Sequence, residues 1–139
     1  SRNFRALKAW MSIKEHGSKK YGRVIQQNID QAQYLAGLVK ESERLELLAP
    51  VPLNVVCFRY LNPGLAGEEL DDLNQRILVE LQEGGLVVVS GTRIKGKFAL
   101  HVAHTNHRSR WEDFDLLVSE VIRLGELTQR EMSQNPQYK

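Results

Sequence analysis

Two pairs of short apolar strands constrain the fold of this chain more than any other feature of its sequence. Residues 45–49 and 54–60 form the first pair, with Pro50 and Pro52 between them, where a missing amide donor does little harm. Residues 86–94 and 97–104 form the second pair, joined by the hairpin turn Lys95–Gly96. Runs of paired strands favour a small, mainly antiparallel sheet.

Helical periodicity occupies most of the remaining chain. Apolar residues recur every three to four positions in residues 4–16, 21–39 and 68–83, and Ser109 followed by Glu112 has the capping-box spacing that opens a final helix. Gly17 and Gly84–Gly85 end the first and the third helix. The predicted order is therefore α-α-β-β-α-β-β-α, and the expected fold class is α+β, with helices packed against the sheet.

Length, charge and cysteine content exclude several classes of protein. The chain has 139 residues, one cysteine and a formal net charge of +2. This length fits one domain, a single cysteine excludes an internal disulfide framework, and no apolar run approaches the ~20 residues of a membrane span. A small net charge gives no reason to expect nucleic acid or a membrane as the partner. We therefore expect a cytoplasmic domain that binds neither.

Charge is nevertheless uneven along the chain. Residues 1–25 hold seven basic side chains against one acidic side chain, and residues 66–83 hold six acidic side chains against one basic side chain. Two interpretations stay open. Both stretches are solvated helix faces, or the basic stretch faces an anionic neighbour.

No group of residues forms a self-sufficient active site by its spacing. His101, His104 and His107 recur every third residue, but strand neighbours at this spacing point to opposite faces, so we predict no metal site. Cys57 lies in the middle of an apolar strand and is expected to be a buried small side chain rather than a nucleophile. Ser90–Gly91–Thr92 is explained as well by a strand bulge as by a phosphate loop. We therefore predict no catalytic residue in this chain.

Several segments, taken in order, resemble a known family. They are SRNFRALKAW at residues 1–10, the stretch Leu45–Arg59, Ser90–Thr92, Gly96–Leu100 and Asn106–Arg108. Together they resemble the C-terminal small domain of group II pyridoxal-phosphate-dependent amino acid decarboxylases, whose members act on DOPA, tyrosine, tryptophan, histidine or glutamate. The resemblance covers residues 1–128, and residues 129–139 are expected to form a polar, frayed tail.

The resemblance implies a lyase whose reactive half lies elsewhere. In this family a large domain carries the lysine that forms a Schiff base with pyridoxal 5′-phosphate, in a Ser/Asn-x-His-Lys context, and no lysine of this chain has that context. The chain would then be the small domain of an L-amino acid decarboxylase, inactive on its own, that closes the active-site cleft and supports a homodimer. The first residue is not an initiator Met, which we interpret as the start of a piece of a longer protein.

The resemblance also implies roles for individual residues. Ser1 matches a position near the substrate side chain. Arg2 and Arg5 match basic positions near the domain junction, where they would form salt bridges with the large domain or face the cofactor phosphate. His101 stands where many relatives have an arginine that reaches toward the substrate carboxylate, which makes it the second substrate-pocket candidate.

Two questions stay open at this point. The sequence does not identify the amino acid that is decarboxylated, although aromatic or imidazole side chains are slightly favoured over glutamate because His101 departs from the arginine of the glutamate enzymes. The alternative function is that of a free-standing α+β module that binds a ligand or a protein without catalysis.

Overall fold

Four helices and four strands follow one another in the predicted order. The computed structural model describes residues 4–85, 89–106 and 108–134, apart from the side chain of residue 133. The elements are α1 (Arg5–His16), α2 (Ser18–Glu41), β1 (Leu45–Leu47), β2 (Val55–Tyr60), α3 (Gly67–Glu83), β3 (Ser90–Ile94), β4 (Lys97–Ala103) and α4 (Trp111–Gln134). None of the described helices is both long and apolar enough to cross a membrane.

All four strands belong to one antiparallel sheet with the order β1-β2-β4-β3. In the two central strands, Cys57 of β2 lies opposite His101 of β4. The β3–β4 hairpin turns at Lys95 and Gly96, whose φ angles are 49° and 82°. Positive φ at both central residues gives a two-residue turn the twist that its flanking strands require. The α+β fold class is confirmed.

One face of the sheet carries the hydrophobic core. Val56, Phe58 and Tyr60 of β2 are buried there together with Leu100 and Val102 of β4. Helices α2, α3 and α4 cover this face with their apolar stripes, whose members without exposed surface include Ala32, Leu35, Val39, Leu73, Ile77 and Val121. For α2, α3 and α4, the periodicity that predicted the helix therefore also identified the side of the helix that faces the sheet.

Two polar side chains of α3 fasten that helix to the sheet. Asn74 is fully buried; its Oδ1 accepts a hydrogen bond from the Tyr60 N–H at 2.7 Å, and its Nδ2 donates to the Tyr60 carbonyl at 3.0 Å. Asp71 accepts from the Phe98 N–H at 2.8 Å and forms a 2.7 Å ion pair with Arg93. Because a buried polar group without a partner is costly, these contacts set the position of α3 on the sheet.

The structure differs from the predictions within β3. This strand begins at Ser90 and pairs with β4 in regular register, so no bulge interrupts it at Ser90–Gly91. Residues 86–88, which were predicted to extend it, lie outside the described residues. Gly91 is explained by packing instead, because a β-carbon at this position would lie 2.8 Å from Cζ of Phe98.

The boundaries of α4 also differ from those predicted. The helix begins at Trp111, and Asp113 rather than Glu112 caps it, because Asp113 Oδ2 accepts a hydrogen bond from the Arg110 N–H at 2.8 Å. It continues to Gln134 with Met132 buried, so the first part of the segment predicted as a frayed tail is helical. Residues 135–139 lie outside the described residues.

Candidate functional site

The sheet face opposite the core carries polar side chains from all four strands. Strand register and the alternation of side chains place eleven residues on it, which are Glu46, Val55, Cys57, Arg59, Ser90, Thr92, Ile94, Lys97, Ala99, His101 and Ala103. We call this surface the open sheet face. Because α2, α3 and α4 pack on the other side, none of these three helices covers it.

His101 lies near the middle of the open sheet face, between Cys57 of β2 and Ser90 of β3. Its side chain is half-buried, and its Nδ1 lies 2.9 Å from Ser90 Oγ. Among the described residues, none forms a hydrogen bond with Nε2 of this ring. Nε2 is therefore the atom through which His101 can contact a ligand.

A cluster of charged side chains occupies the same face. Arg59 is buried and approaches Glu46 to 2.7 Å, while Lys97 approaches the same carboxylate to 3.3 Å. Partial burial by itself would raise the pKa of Glu46, but the hydrogen bonds and charges of Arg59 and Lys97 outweigh it and lower the pKa below its ordinary value. Two cations thus share one carboxylate, and the positive charge that remains favours an anionic ligand on this face.

Cys57 is the remaining reactive side chain beside His101. It is a free, buried cysteine, and burial raises the pKa of its thiol above the ordinary value. The thiolate that a nucleophile needs is therefore disfavoured at neutral pH. The expectation that Cys57 is a buried small side chain is confirmed.

His104 is separated from His101 by the sheet. Its Nε2 lies 2.7 Å from Gln31 Oε1, and Gln31 Nε2 donates to the Ser109 carbonyl at 2.8 Å, so the Gln31 oxygen faces the ring and Nε2 of His104 carries the hydrogen. Burial lowers the pKa of His104. His107 lies outside the described residues, and within them no group of three or more metal-ligating side chains occurs.

The residues predicted near a domain junction lie at the start of the chain. Arg5 begins α1, is exposed, and has no ion-pair partner within residues 4–85, 89–106 and 108–134. No hydrogen bond or ion pair joins it to His101. Ser1 and Arg2 lie outside the described residues. Their predicted roles, like those of Arg5 and His101, remain predictions.

Helix α1 presents apolar side chains to its surroundings. None of its residues is buried. Trp10 and Met11 are 59% and 56% exposed, and Phe4, which directly precedes the helix, is 71% exposed. Together with the beginning of α2, this helix forms a groove of about 650 Å³ whose lining includes Ile13 and Ile25. An apolar surface of this kind is typical of a region that contacts other protein.

A second groove, of about 640 Å³, lies between the start of α3 and the β3–β4 hairpin. Its charged lining consists of Glu43, Arg59, Glu68, Asp71, Arg93 and Lys97. Three cations balance three carboxylates in this lining, whereas two cations share one carboxylate on the open sheet face. This groove is therefore a weaker candidate for an anionic ligand than the open sheet face.

Sequence reasoning singled out His101 but missed the partner that orients it. A signal was available, because a two-residue turn at Lys95–Gly96 sets the register of the whole hairpin and places Ser90 opposite His101. Sequence reasoning also missed the ion pair of Glu46 and Arg59. The sequence offers no comparable signal for this pair, because the long loop between β1 and β2 does not set the register of the two strands.

Comparisons with known proteins agree on one family. Residues 1–61 match the family described as the pyridoxal-dependent decarboxylase conserved domain. The aromatic-L-amino-acid decarboxylase of Bacillus atrophaeus is 28% identical over 91% of this chain, and tyrosine decarboxylase 4 of Petroselinum crispum is 31% identical over 74% of it. The chain spans only 26% and 21% of these relatives' lengths, about a quarter.

Solved structures share the fold. The glutamate decarboxylase domain of a diaminobutyrate-pyruvate transaminase and L-2,4-diaminobutyrate decarboxylase from Vibrio parahaemolyticus superimposes with a TM-score of 0.78 at 28% identity, over 91% of this chain and 27% of that one. Oryza sativa TDC, solved with PLP, has a TM-score of 0.81 at 24% identity, over 91% of this chain and 28% of that one.

Proposed function

We propose that the chain is the C-terminal small domain of a group II pyridoxal-phosphate-dependent amino acid decarboxylase, and that the whole protein is an L-amino acid carboxy-lyase, which releases CO2 and an amine. The observation that carries the proposal is the agreement between the family match, the fold and the fraction of each relative that is covered. The domain closes one side of the active-site cleft and is inactive alone.

The two uncovered surfaces support docking onto a large domain. The open sheet face is not covered by α2, α3 or α4, and Phe4 is exposed together with Trp10 and Met11 of α1. Covering side chains of this size removes substantial apolar area from water, at about 25 cal/mol per Å². The relatives are about three and a half times as long as this chain, so further polypeptide is the natural occupant of both surfaces.

Pyridoxal 5′-phosphate fits the family but not the described residues of this chain taken by themselves. Lys97 is ion-paired with Glu46, and the other described lysines, Lys8, Lys14, Lys19, Lys20, Lys40 and Lys95, are exposed. No described lysine thus lies in an enclosed site. The cofactor, whose ring accepts electrons as the substrate loses CO2, is held by the large domain.

This chain's contribution to substrate binding is assigned to His101. The ring offers Nε2 on the open sheet face, close to a cluster with excess positive charge, and a carboxylate is the anionic group that every amino acid substrate has. Ser1 is assigned to the substrate side chain, and Arg2 and Arg5 to the junction with the large domain or the cofactor phosphate. Aromatic L-amino acids are the proposed substrates, since tyrosine and tryptophan decarboxylases are among the relatives.

The whole protein is proposed to be a cytoplasmic homodimer. Cys57 is a free thiol, as a reducing compartment allows. The dimer is proposed from the family resemblance. Sedimentation of the full-length protein at micromolar concentration tests the dimer directly, and a monomer would contradict it.

A decarboxylation screen tests the function. The full-length protein, supplied with pyridoxal 5′-phosphate, should release CO2 from tyrosine, tryptophan or DOPA faster than from glutamate or diamino acids. The 139-residue chain alone is the control; it should release none, and borohydride should fix no pyridoxyl group to any single lysine. A full-length protein that decarboxylates no amino acid would contradict the proposal.

A simpler observation distinguishes the alternative, a free-standing binding module, from the proposed decarboxylase domain. A large cofactor domain requires roughly 300 or more residues upstream of Ser1 in the reading frame. A start codon shortly before Ser1 would favour the module.

A further inference from the structure

Ser90 is the residue for which the structure indicates a role that neither the sequence nor the comparisons provide. We propose that its hydroxyl positions His101, so that Nε2 of the ring carries a hydrogen in both protonation states and donates it to the carboxylate of the substrate. The carboxylate step rests on the proposed function, whereas the hydrogen bond between the two side chains does not.

The contacts of the Ser90 hydroxyl favour one position for the ring hydrogen of His101. Ser90 lies opposite His101 in the β3–β4 register, and its Oγ is 2.9 Å from Nδ1 of the ring but 3.4 Å from the His101 carbonyl oxygen. A serine hydroxyl has one hydrogen to donate. The 3.4 Å separation exceeds the range of about 2.5–3.0 Å for an O–H···O hydrogen bond, whereas 2.9 Å fits a hydrogen bond with Nδ1. We therefore assign the hydroxyl hydrogen to Nδ1, which leaves Nδ1 without a hydrogen in the neutral ring and places the hydrogen on Nε2.

Nε2 keeps its hydrogen when the ring is protonated. In the imidazolium form both nitrogens are donors, and the Ser90 oxygen then accepts from Nδ1–H while Nε2–H remains available. The Ser90 hydroxyl can therefore form a hydrogen bond with Nδ1 of the neutral ring, as donor, or of the protonated ring, as acceptor. A side chain without this capacity would leave the neutral ring free to carry its hydrogen on Nδ1, and Nε2 would then repel a carboxylate oxygen.

The surroundings of the ring support this assignment. The titratable and charged groups that share the open sheet face are Cys57 on β2, the Arg59–Glu46 pair on β2 and β1, and Lys97 on β4. Burial raises the pKa of the Cys57 thiol, so that residue stays neutral, and Glu46 is engaged by two cations. Within the described part of the chain, no acceptor therefore competes for the hydrogen on Nε2.

The first test reads the tautomer directly. In the 139-residue chain labelled with 15N-histidine, the shifts of the two ring nitrogens of His101 report which one carries the hydrogen when the ring is neutral. We expect the hydrogen on Nε2, and in Ser90→Ala a shift of the population toward Nδ1. Ser90→Thr, which keeps the hydroxyl on a residue suited to a strand, should restore the original shifts. A hydrogen on Nδ1 in the unmodified chain, or no change in Ser90→Ala, would overturn the proposal.

The second test reads the consequence in the full-length protein. A lost hydrogen bond corresponds to about a threefold to tenfold change in affinity, so Ser90→Ala should raise KM for the amino acid by that factor with little change in kcat. The increase should be largest at pH values where the ring is neutral, and Ser90→Thr should remove it. In a His101→Gln background, Ser90→Ala should have no further effect, because the two residues act as one unit.

The two tests distinguish the ways in which the inference can fail. Decarboxylation with an unchanged KM in Ser90→Ala would overturn the positioning role even where the tautomer is as expected. Absence of decarboxylation by the full-length protein would overturn the carboxylate step together with the proposed function, while the nitrogen shifts still decide whether Ser90 orients His101.

Discussion

Replacing Gly125 with alanine tests how closely α4 packs on the sheet. Glycine inside a helix costs about 1 kcal/mol relative to alanine, so helix propensity alone predicts that Gly125→Ala stabilises the domain. The structure predicts the opposite. A β-carbon on Gly125 would lie 2.5, 2.6 and 2.7 Å from three carbons of the Tyr60 ring, against 3.4–4 Å for ordinary contact.

Tyr60 has little room to move away. Its side chain is fully buried, its backbone is held by Asn74, and its hydroxyl accepts a hydrogen bond from Arg44 at 3.2 Å. Overpacking a core costs about 1–3 kcal/mol, and an overlap of this depth belongs at the upper end, about 3 kcal/mol. Subtracting the propensity gain leaves a net loss of about 2 kcal/mol, or roughly 8 °C in Tm for a chain of this length.

Gly37→Ala is the matched control. Gly37 also lies inside a helix, α2, but a β-carbon there would meet nothing within 4 Å. We expect this variant to gain about 1 kcal/mol from propensity alone. Thermal and urea unfolding of the 139-residue chain, followed by far-UV circular dichroism, measures both variants. If Gly125→Ala is stabilised as much as Gly37→Ala, this result would contradict the close packing of α4 on Tyr60.

Three further predictions concern buried groups. Asn74→Ala should lower the free energy of unfolding by about 2–3 kcal/mol in urea titrations, because it leaves the backbone N–H and carbonyl of Tyr60 buried without partners. Stability should fall as the pH drops below about 6.5, the ordinary pKa of histidine, because the lowered pKa of His104 makes the unfolded state bind protons first; urea midpoints between pH 7.5 and 5.5 measure this. Cys57 should react with iodoacetamide far more slowly in the native than in the unfolded chain, since it is buried and its pKa is raised.

Each of these predictions has a control and a contradicting outcome. The exposed Gln75→Ala on the same helix as Asn74 should change stability by less than about 0.5 kcal/mol, and an equal loss in both variants would refute the role of Asn74. His104→Gln should flatten the dependence of the urea midpoint on pH, and an unchanged slope would show that another group titrates. Native alkylation of Cys57 at the rate of the unfolded chain would contradict its burial.

The sequence alone predicted the elements and their order. Apolar residues at helical spacing and the glycine at residue 17 depend only on neighbours along the chain, and these predictions are confirmed. The hairpin at Lys95–Gly96 was equally accessible, because its turn chemistry is local. Where prediction failed, at the start of α4 and at Ser90–Gly91, the deciding contacts were a competing carboxylate, Asp113, and the ring of Phe98 packed against Gly91.

Only the tertiary structure decided which surfaces are available and which side chains meet. It placed α2, α3 and α4 on one face of the sheet, Ser90 against His101 on the other face, and His104 on the helix side in contact with Gln31. These contacts join segments that are far apart along the chain, and they arise when several amphipathic elements bury their apolar faces together. Local patterns encode which face of each element is apolar, but the partners of its polar residues follow from how the faces are stacked.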